Sequence, residues 1–191
     1  QHHLFIADIP AGYLINAYYV KSEDGDPLVA VSYDYISDDY DTTILTFSGF
    51  EPALGVTLPL LISSIDEYGV TASGYLYAVG TWAVHTVAWF SRGTIEWRGT
   101  YVFDTDDVSY TAVVTAMDLP VFLWNGGEYI ADVLPPGTSM AFTETDADSY
   151  VAFVLEDGTE GYFNFEWGDD WIEEIDGVTA YEYFEYVPQY G

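Results

Sequence analysis

The run Glu166-Trp167-Gly168-Asp169-Asp170-Trp171-Ile172-Glu173-Glu174 sets five carboxylates around two indoles. Aromatic faces stack on sugar rings while carboxylates accept hydroxyl protons, so Trp167 and Trp171 lie in the most sugar-friendly composition of the chain. A hydrophobic clamp beneath an acidic surface turn is the structural alternative. Acid pairs also serve glycoside hydrolysis, which needs two carboxylates roughly 5 to 9.5 Å apart across a cleft. With 32 Asp and Glu in the chain, their presence alone selects no pair. Oxygen donors cluster again at residues 37–41, 104–107 and 143–149. None of these loops has the glycine and terminal glutamate of the EF-hand calcium loop, so they read as solvated hairpin caps and no metal is expected.

Other reaction classes lack their residues. The chain has no cysteine, which excludes a thiol nucleophile and leaves the redox compartment unread. Zinc hydrolases need two or more histidines, yet His85 alone lies in the body of the chain, and His2 and His3 read as terminal or tag residues. His85 falls in an apolar run and reads as a core or half-buried histidine. There is no Gly-x-Ser-x-Gly elbow and no glycine-rich phosphate loop. No catalytic residue and no cofactor are therefore expected.

Composition narrows the partners. The formal net charge is -29 over 191 residues, and the three basic residues are Lys21, Arg92 and Arg98. Residues 101–191 hold 20 Asp and Glu with no Lys or Arg. Such a field repels phosphate backbones and anionic lipids, so nucleic acid is disfavoured, and neutral glycans, cationic surfaces or metal ions are favoured. Solvation in an acidic or salty medium is the plainer account of the charge. Half of the residues are hydrophobic and 18% are aromatic, which is material for a packed core and not the composition of a disordered chain. Residues 70–90 carry no charged side chain, but Gly74 and Gly80 break them into strand-length pieces, and no transmembrane segment is expected. The start QHHLF shows no signal peptide and fits a protein whose export signal has been removed.

The elements that must position these residues read as strands. Tyr, Val, Phe, Trp, Ile and Thr dominate, and Gly, Pro, Asp and Asn recur at short intervals, which predicts an all-β fold of short strands and tight turns. Strands are expected at 13–20, 28–36, 43–47, 75–79, 82–90, 94–103 and 109–116. Residues 49–58, with Pro52 and then Pro59, read as a linker or long loop. Residues 169–175 are the best helical candidate. Residues 58–68 match 119–129 at an offset of 61, and 87–97 match 151–162 at an offset of about 64, so 56–103 reads as a diverged copy of the later block. The division follows as an N-terminal β domain at 1–115 and a second domain at 116–191 with a Tyr-rich tail.

The block EYIADVLPPGTSMAFTETDADSYVAFVLEDGTEGYF, residues 128–163, resembles the bacterial SH3-like domain family. An apolar strand leads into Leu-Pro-Pro-Gly-Thr, and a second strand runs to a polar loop ending at Tyr150, where the family usually has Trp. A strand-turn-strand follows with Asp157-Gly158 at the turn and Gly161-Tyr162 where the family often has Gly-Trp. The resemblance covers residues 117–166, about 50 of 191; the family's opening loop is replaced by residues 119–127. It implies a small SH3-like β-barrel in an extracellular or cell-envelope protein. The role it implies is non-catalytic: an aromatic groove of Trp124, Tyr129, Tyr150, Tyr162, Trp167 and Trp171 that binds a cell-wall peptide or glycan, or a protein partner. A small glycoside hydrolase and an oligomerising structural protein are the alternatives.

Overall fold

The computed structural model describes residues 13–21, 27–34, 40–48, 51–66, 68–91, 94–104 and 112–188. It is all-β, with antiparallel sheets and two single-turn 3-10 helices. The described part contains no helix long and apolar enough to cross a membrane. By proximity the chain forms two compact units, residues 1–74 with 86–98 and residues 75–85 with 99–191. The sequence division at 115/116 differs from this grouping, because two strands, Gly69–Tyr77 (β6) and Thr81–Ser91 (β7), each have one end in either unit.

In the first unit, Tyr13–Lys21 (β1), Pro27–Asp34 (β2), Tyr40–Ser48 (β3) and Glu51–Leu58 (β4) form a four-stranded antiparallel meander. The strand β4 replaces the loop expected at 49–58. Pro52 is tolerated because β4 is an edge strand, where a missing N–H can face solvent. Gly55 takes up the bulge opposite Ile44 and Leu45, where a Cβ would come within 2.6 Å of Ile95. Ala30, Ile44, Leu58 and Leu60 are buried. Beside them Ser32 Oγ and Thr42 Oγ1 are 2.8 Å apart, and Thr42 donates to the Leu60 carbonyl at 2.6 Å, so these buried hydroxyls are satisfied. A hairpin of Leu61–Ile65 (β5) with β6 and another of β7 with Thr94–Trp97 (β8) follow. The stretch 94–103 is two strands rather than one, since Gly99 at φ 75° turns the chain before Tyr101–Phe103 (β9).

In the second unit, Leu119–Trp124 (β11), Tyr129–Leu134 (β12), Ser139–Thr145 (β13), Tyr150–Leu155 (β14) and Glu160–Asn164 (β15) align in the order β12-β11-β15-β14-β13, with β9 beyond β13. Ala112–Val114 (β10) also pairs with β13. Alternation buries Val151 and Phe153 on one side of β14 and leaves Tyr150, Ala152 and Val154 on the other. The core is aromatic. The Phe142 ring lies 5.2 Å from Trp82, 5.7 Å from Phe103 and Phe163, and 5.6 Å from Phe184.

Turn chemistry sets the connections. Gly158 at φ 85° closes the β14–β15 hairpin, with the Thr159 N–H held by Asp157 at 2.9 Å. The Leu-Pro-Pro-Gly-Thr turn is tied down by Thr115, whose hydroxyl donates to the Pro135 carbonyl at 2.6 Å and accepts the Thr138 N–H at 2.9 Å. The helical candidate at 169–175 is instead one 3-10 turn, Asp169–Trp171 (η1), between two short strands. Glu166–Trp167 (β16), Glu173–Ile175 (β17) and Val178–Thr179 (β18) pair antiparallel into a small sheet, and cross-strand bonds hold residues that the acidic run alone would leave as a helical turn. A second turn, Ala180–Tyr183 (η2), buries Tyr183, and Phe184 and Val187 are buried after it. The expected turn at 22–27 lies largely outside the described residues. The same holds for most of the acidic loops at 37–41 and 104–107, the turn at 91–93, and residues 109–111 and 189–191.

Candidate ligand-binding face

Pro120, Phe122 and Trp124 alternate along β11 and so project to one side of it. Register places Tyr129 opposite Trp124, Ala131 opposite Phe122, and Val133 opposite Pro120. On the other flank Tyr162 of β15 stands opposite Phe122, and Tyr150 of β14 opposite Asn164. The rings form a continuous set. Phe122 and Tyr162 stack at 4.9 Å, Tyr129 meets Tyr162 edge-on at 5.0 Å, Trp124 lies 5.1 Å from Tyr129, and Tyr150 lies 6.4 Å from Tyr162. Trp124 is 41% exposed and Tyr129 46%, with Val133 also exposed on the same face of β12.

Gly161 lets this face form. It sits between β11 and β14, where a Cβ would meet the Phe153 ring at 2.6 Å, Leu123 at 2.8 Å and the Phe122 carbonyl at 2.9 Å. Only a residue without a side chain lets β11 and β15 come close enough to stack Phe122 on Tyr162. Tyr150 is fixed by a hydrogen bond from its hydroxyl to Glu144 at 2.8 Å. Burial, that bond and the charges of Glu144 and Asp146 push its phenol well above the usual range, so it remains a neutral donor.

Beyond Phe122 the face runs into an open groove of about 540 Å³. Pro120, Phe122, Val133 and Ile175 supply apolar walls, and Asp132, Glu166, Asp176 and Asn164 supply polar groups.

Four of the six residues expected to bind ligand, Trp124, Tyr129, Tyr150 and Tyr162, thus belong to one ring cluster. Trp167 lies elsewhere, against Phe165 at 6.2 Å and Tyr77 at 6.4 Å. Trp171 is 84% exposed, at φ 61° in η1, so it does not act as a buried clamp. Phe122 joins platform to groove and is absent from the sequence-derived set; its alternation with Trp124 was the available signal. Of the acids near the two tryptophans, Glu173 is buried to 2% exposure. Burial pushes its pKa up to about 7, against the opposing effect of the Val79 N–H. That carboxyl is enclosed and accepts a hydrogen bond from the Val79 N–H. His85 is half-buried with Nδ1 2.6 Å from Asp104 Oδ1. The loop at 143–149 is organised by Asp146, which accepts the N–H groups of Asp148, Ser149 and Tyr150 and the Ser149 hydroxyl. Among the described residues no cluster of three or more metal-ligating side chains occurs.

Comparison with family models, with curated proteins and with solved structures finds no match to this chain.

Proposed function

We propose that this protein is a non-catalytic binding module of an exported bacterial protein, recognising a cell-wall peptide or glycan on the aromatic face of β11, β12 and β15. The observation that carries the reading is the unbroken series Trp124–Tyr129–Tyr162–Phe122, with neighbouring ring centroids 4.9 to 5.1 Å apart and Trp124 and Tyr129 at one end exposed. Such a series presents rigid, amphipathic area at little cost in side-chain entropy. The resemblance to bacterial SH3-like domains covers the same strands and supports an envelope setting. The indole of Trp171, 84% exposed on a backbone conformation unfavourable for a bulky residue, is a further solvent-facing aromatic that supports a recognition role.

Co-sedimentation with purified bacterial sacculi at low and high salt tests the reading. The wild type should pellet at both salts, and Trp124→Ala/Tyr129→Ala should stay in solution with an unchanged circular dichroism spectrum. Wild-type protein left in the supernatant at both salts would overturn wall binding.

A further inference from the structure

Every lysine and arginine of the chain lies at or before residue 98, so the second unit, apart from His85, must carry its acids without an internal cation. His85 is already engaged with Asp104. The groove beside Phe122 gathers three of these acids, Asp132, Glu166 and Asp176, all exposed and none in an ion pair with a described residue. Asp132 only caps the neighbouring Val133 N–H at 2.8 Å. Glu166 stands directly opposite Glu174 in the β16–β17 pair, and like charges facing each other across strands are destabilising. The fold therefore maintains unneutralised negative charge at the rim of a groove whose walls are Pro120, Phe122, Val133 and Ile175.

This combination matches one kind of side chain. A lysine or arginine lays its aliphatic stem on apolar walls, places its cation near an aromatic face and neutralises surrounding carboxylates. A neutral sugar leaves the charges unpaired. A second copy of this chain brings another -29, so self-association at the groove is opposed by its own field. The strand β12, which lines the groove through Ala131, Asp132 and Val133, is the terminal strand of its sheet, and five of its six residues are exposed. An extended peptide can lie along such an edge.

We infer that the groove seats a lysine or arginine side chain of an extended peptide that runs along β12. The inference rests on the binding-module reading and narrows its ligand from peptide or glycan to a basic peptide. Calorimetric titration of the full chain with acetyl-Gly-Lys-Gly-Lys-Gly-amide, its acetyl-lysine counterpart and tetra-N-acetylglucosamine tests it. The lysine peptide should bind, and acetylation should weaken it by about tenfold or more. Glu166→Gln/Asp176→Asn should weaken binding by a similar factor of about ten. Glu156→Gln/Glu160→Gln, which removes the same charge at the β14–β15 turn, should change it less than about twofold. Equal effects in the two double variants would overturn the inference in favour of general attraction to an acidic surface. Binding of the glycan but not the lysine peptide would overturn it while leaving the module reading intact. Binding of neither, with sacculi also left unbound, would sink both.

Discussion

Both carboxylate oxygens of Glu173 lie within hydrogen-bond distance of the Val79 backbone nitrogen, at 2.9 and 2.8 Å, so a side chain from β17 closes the turn between β6 and β7. Val79 has φ 50°, an uncommon conformation for a β-branched residue, and both residues are buried. The turn is further held by the Thr81 N–H, which donates to the Pro188 carbonyl at 2.8 Å, and Gly80 leaves no room there for a Cβ. Residues separated by more than ninety positions thus make one joint inside the second unit.

That joint makes stability depend on pH. Burial raises the Glu173 pKa from 4.5 to about 7, with the Val79 N–H acting in the opposite direction. The folded state therefore holds its proton more tightly than the unfolded chain. The resulting stabilisation is complete below the ordinary value of 4.5 and is lost as pH rises through about 7. The shift corresponds to about 3 kcal/mol. Glu173→Gln keeps an oxygen for the Val79 N–H but cannot ionise. Urea unfolding from about pH 4 to about pH 8 should show the wild type losing stability relative to this variant by up to about 3 kcal/mol. Parallel curves for the two proteins would refute the assignment.

Asp146 behaves in the opposite sense. Burial alone would raise its pKa, but the Ser149 hydroxyl and the N–H groups of Ser149, Asp148 and Tyr150 outweigh it and hold the carboxyl below the usual 3.8. Its contribution is present above that value and is lost as pH falls through the lower, folded value. Asp146→Ala leaves those donors to water and should cost about 1 to 3 kcal/mol at neutral pH, with a smaller deficit under acid conditions. A deficit that does not shrink in acid would argue against the loop's being held by a carboxylate.

Gly161 and Gly127 should separate steric need from mere composition. A Cβ at Gly161 meets three atoms within 2.9 Å, whereas at Gly127 it meets only the Asn125 side chain at 3.8 Å. Gly161→Ala should destabilise by about 1 to 3 kcal/mol through overpacking, and Gly127→Ala should change stability by less than about half a kcal/mol. Chemical denaturation measures both. Near-ultraviolet circular dichroism of Gly161→Ala should also change, because the stacking of Phe122 on Tyr162 depends on the close approach of β11 and β15.

Much of the second unit was legible in the chain because its signals are local. Period-two alternation in Tyr150–Leu155 and the Asp157-Gly158 turn specify a hairpin with little help from elsewhere. The tyrosines and tryptophan that the face uses were also visible as types. Reading failed where a neighbour decides the outcome. Pro52 suggested a loop because a proline cannot donate to a ladder, and only the position of β4 at a sheet edge removes that objection. The acids of 169–175 suggested a helical turn, and pairing of β17 with β16 and β18 makes most of it extended.

By itself the sequence determined the all-β character, the strong acidity of residues 101–191 with no lysine or arginine, and the absence of a thiol nucleophile. These are properties of residue type, near-neighbour spacing and count. Tertiary structure alone decided which aromatics meet. Cross-strand register sets Phe122 on Tyr162 and Trp124 beside Tyr129, while packing outside those strands puts Trp167 near Phe165 and Tyr77 and leaves Trp171 in solvent. It likewise singled out Glu173 from its acidic neighbours, because burial depends on packing against distant residues such as Val79, a relation that spacing along the chain does not encode.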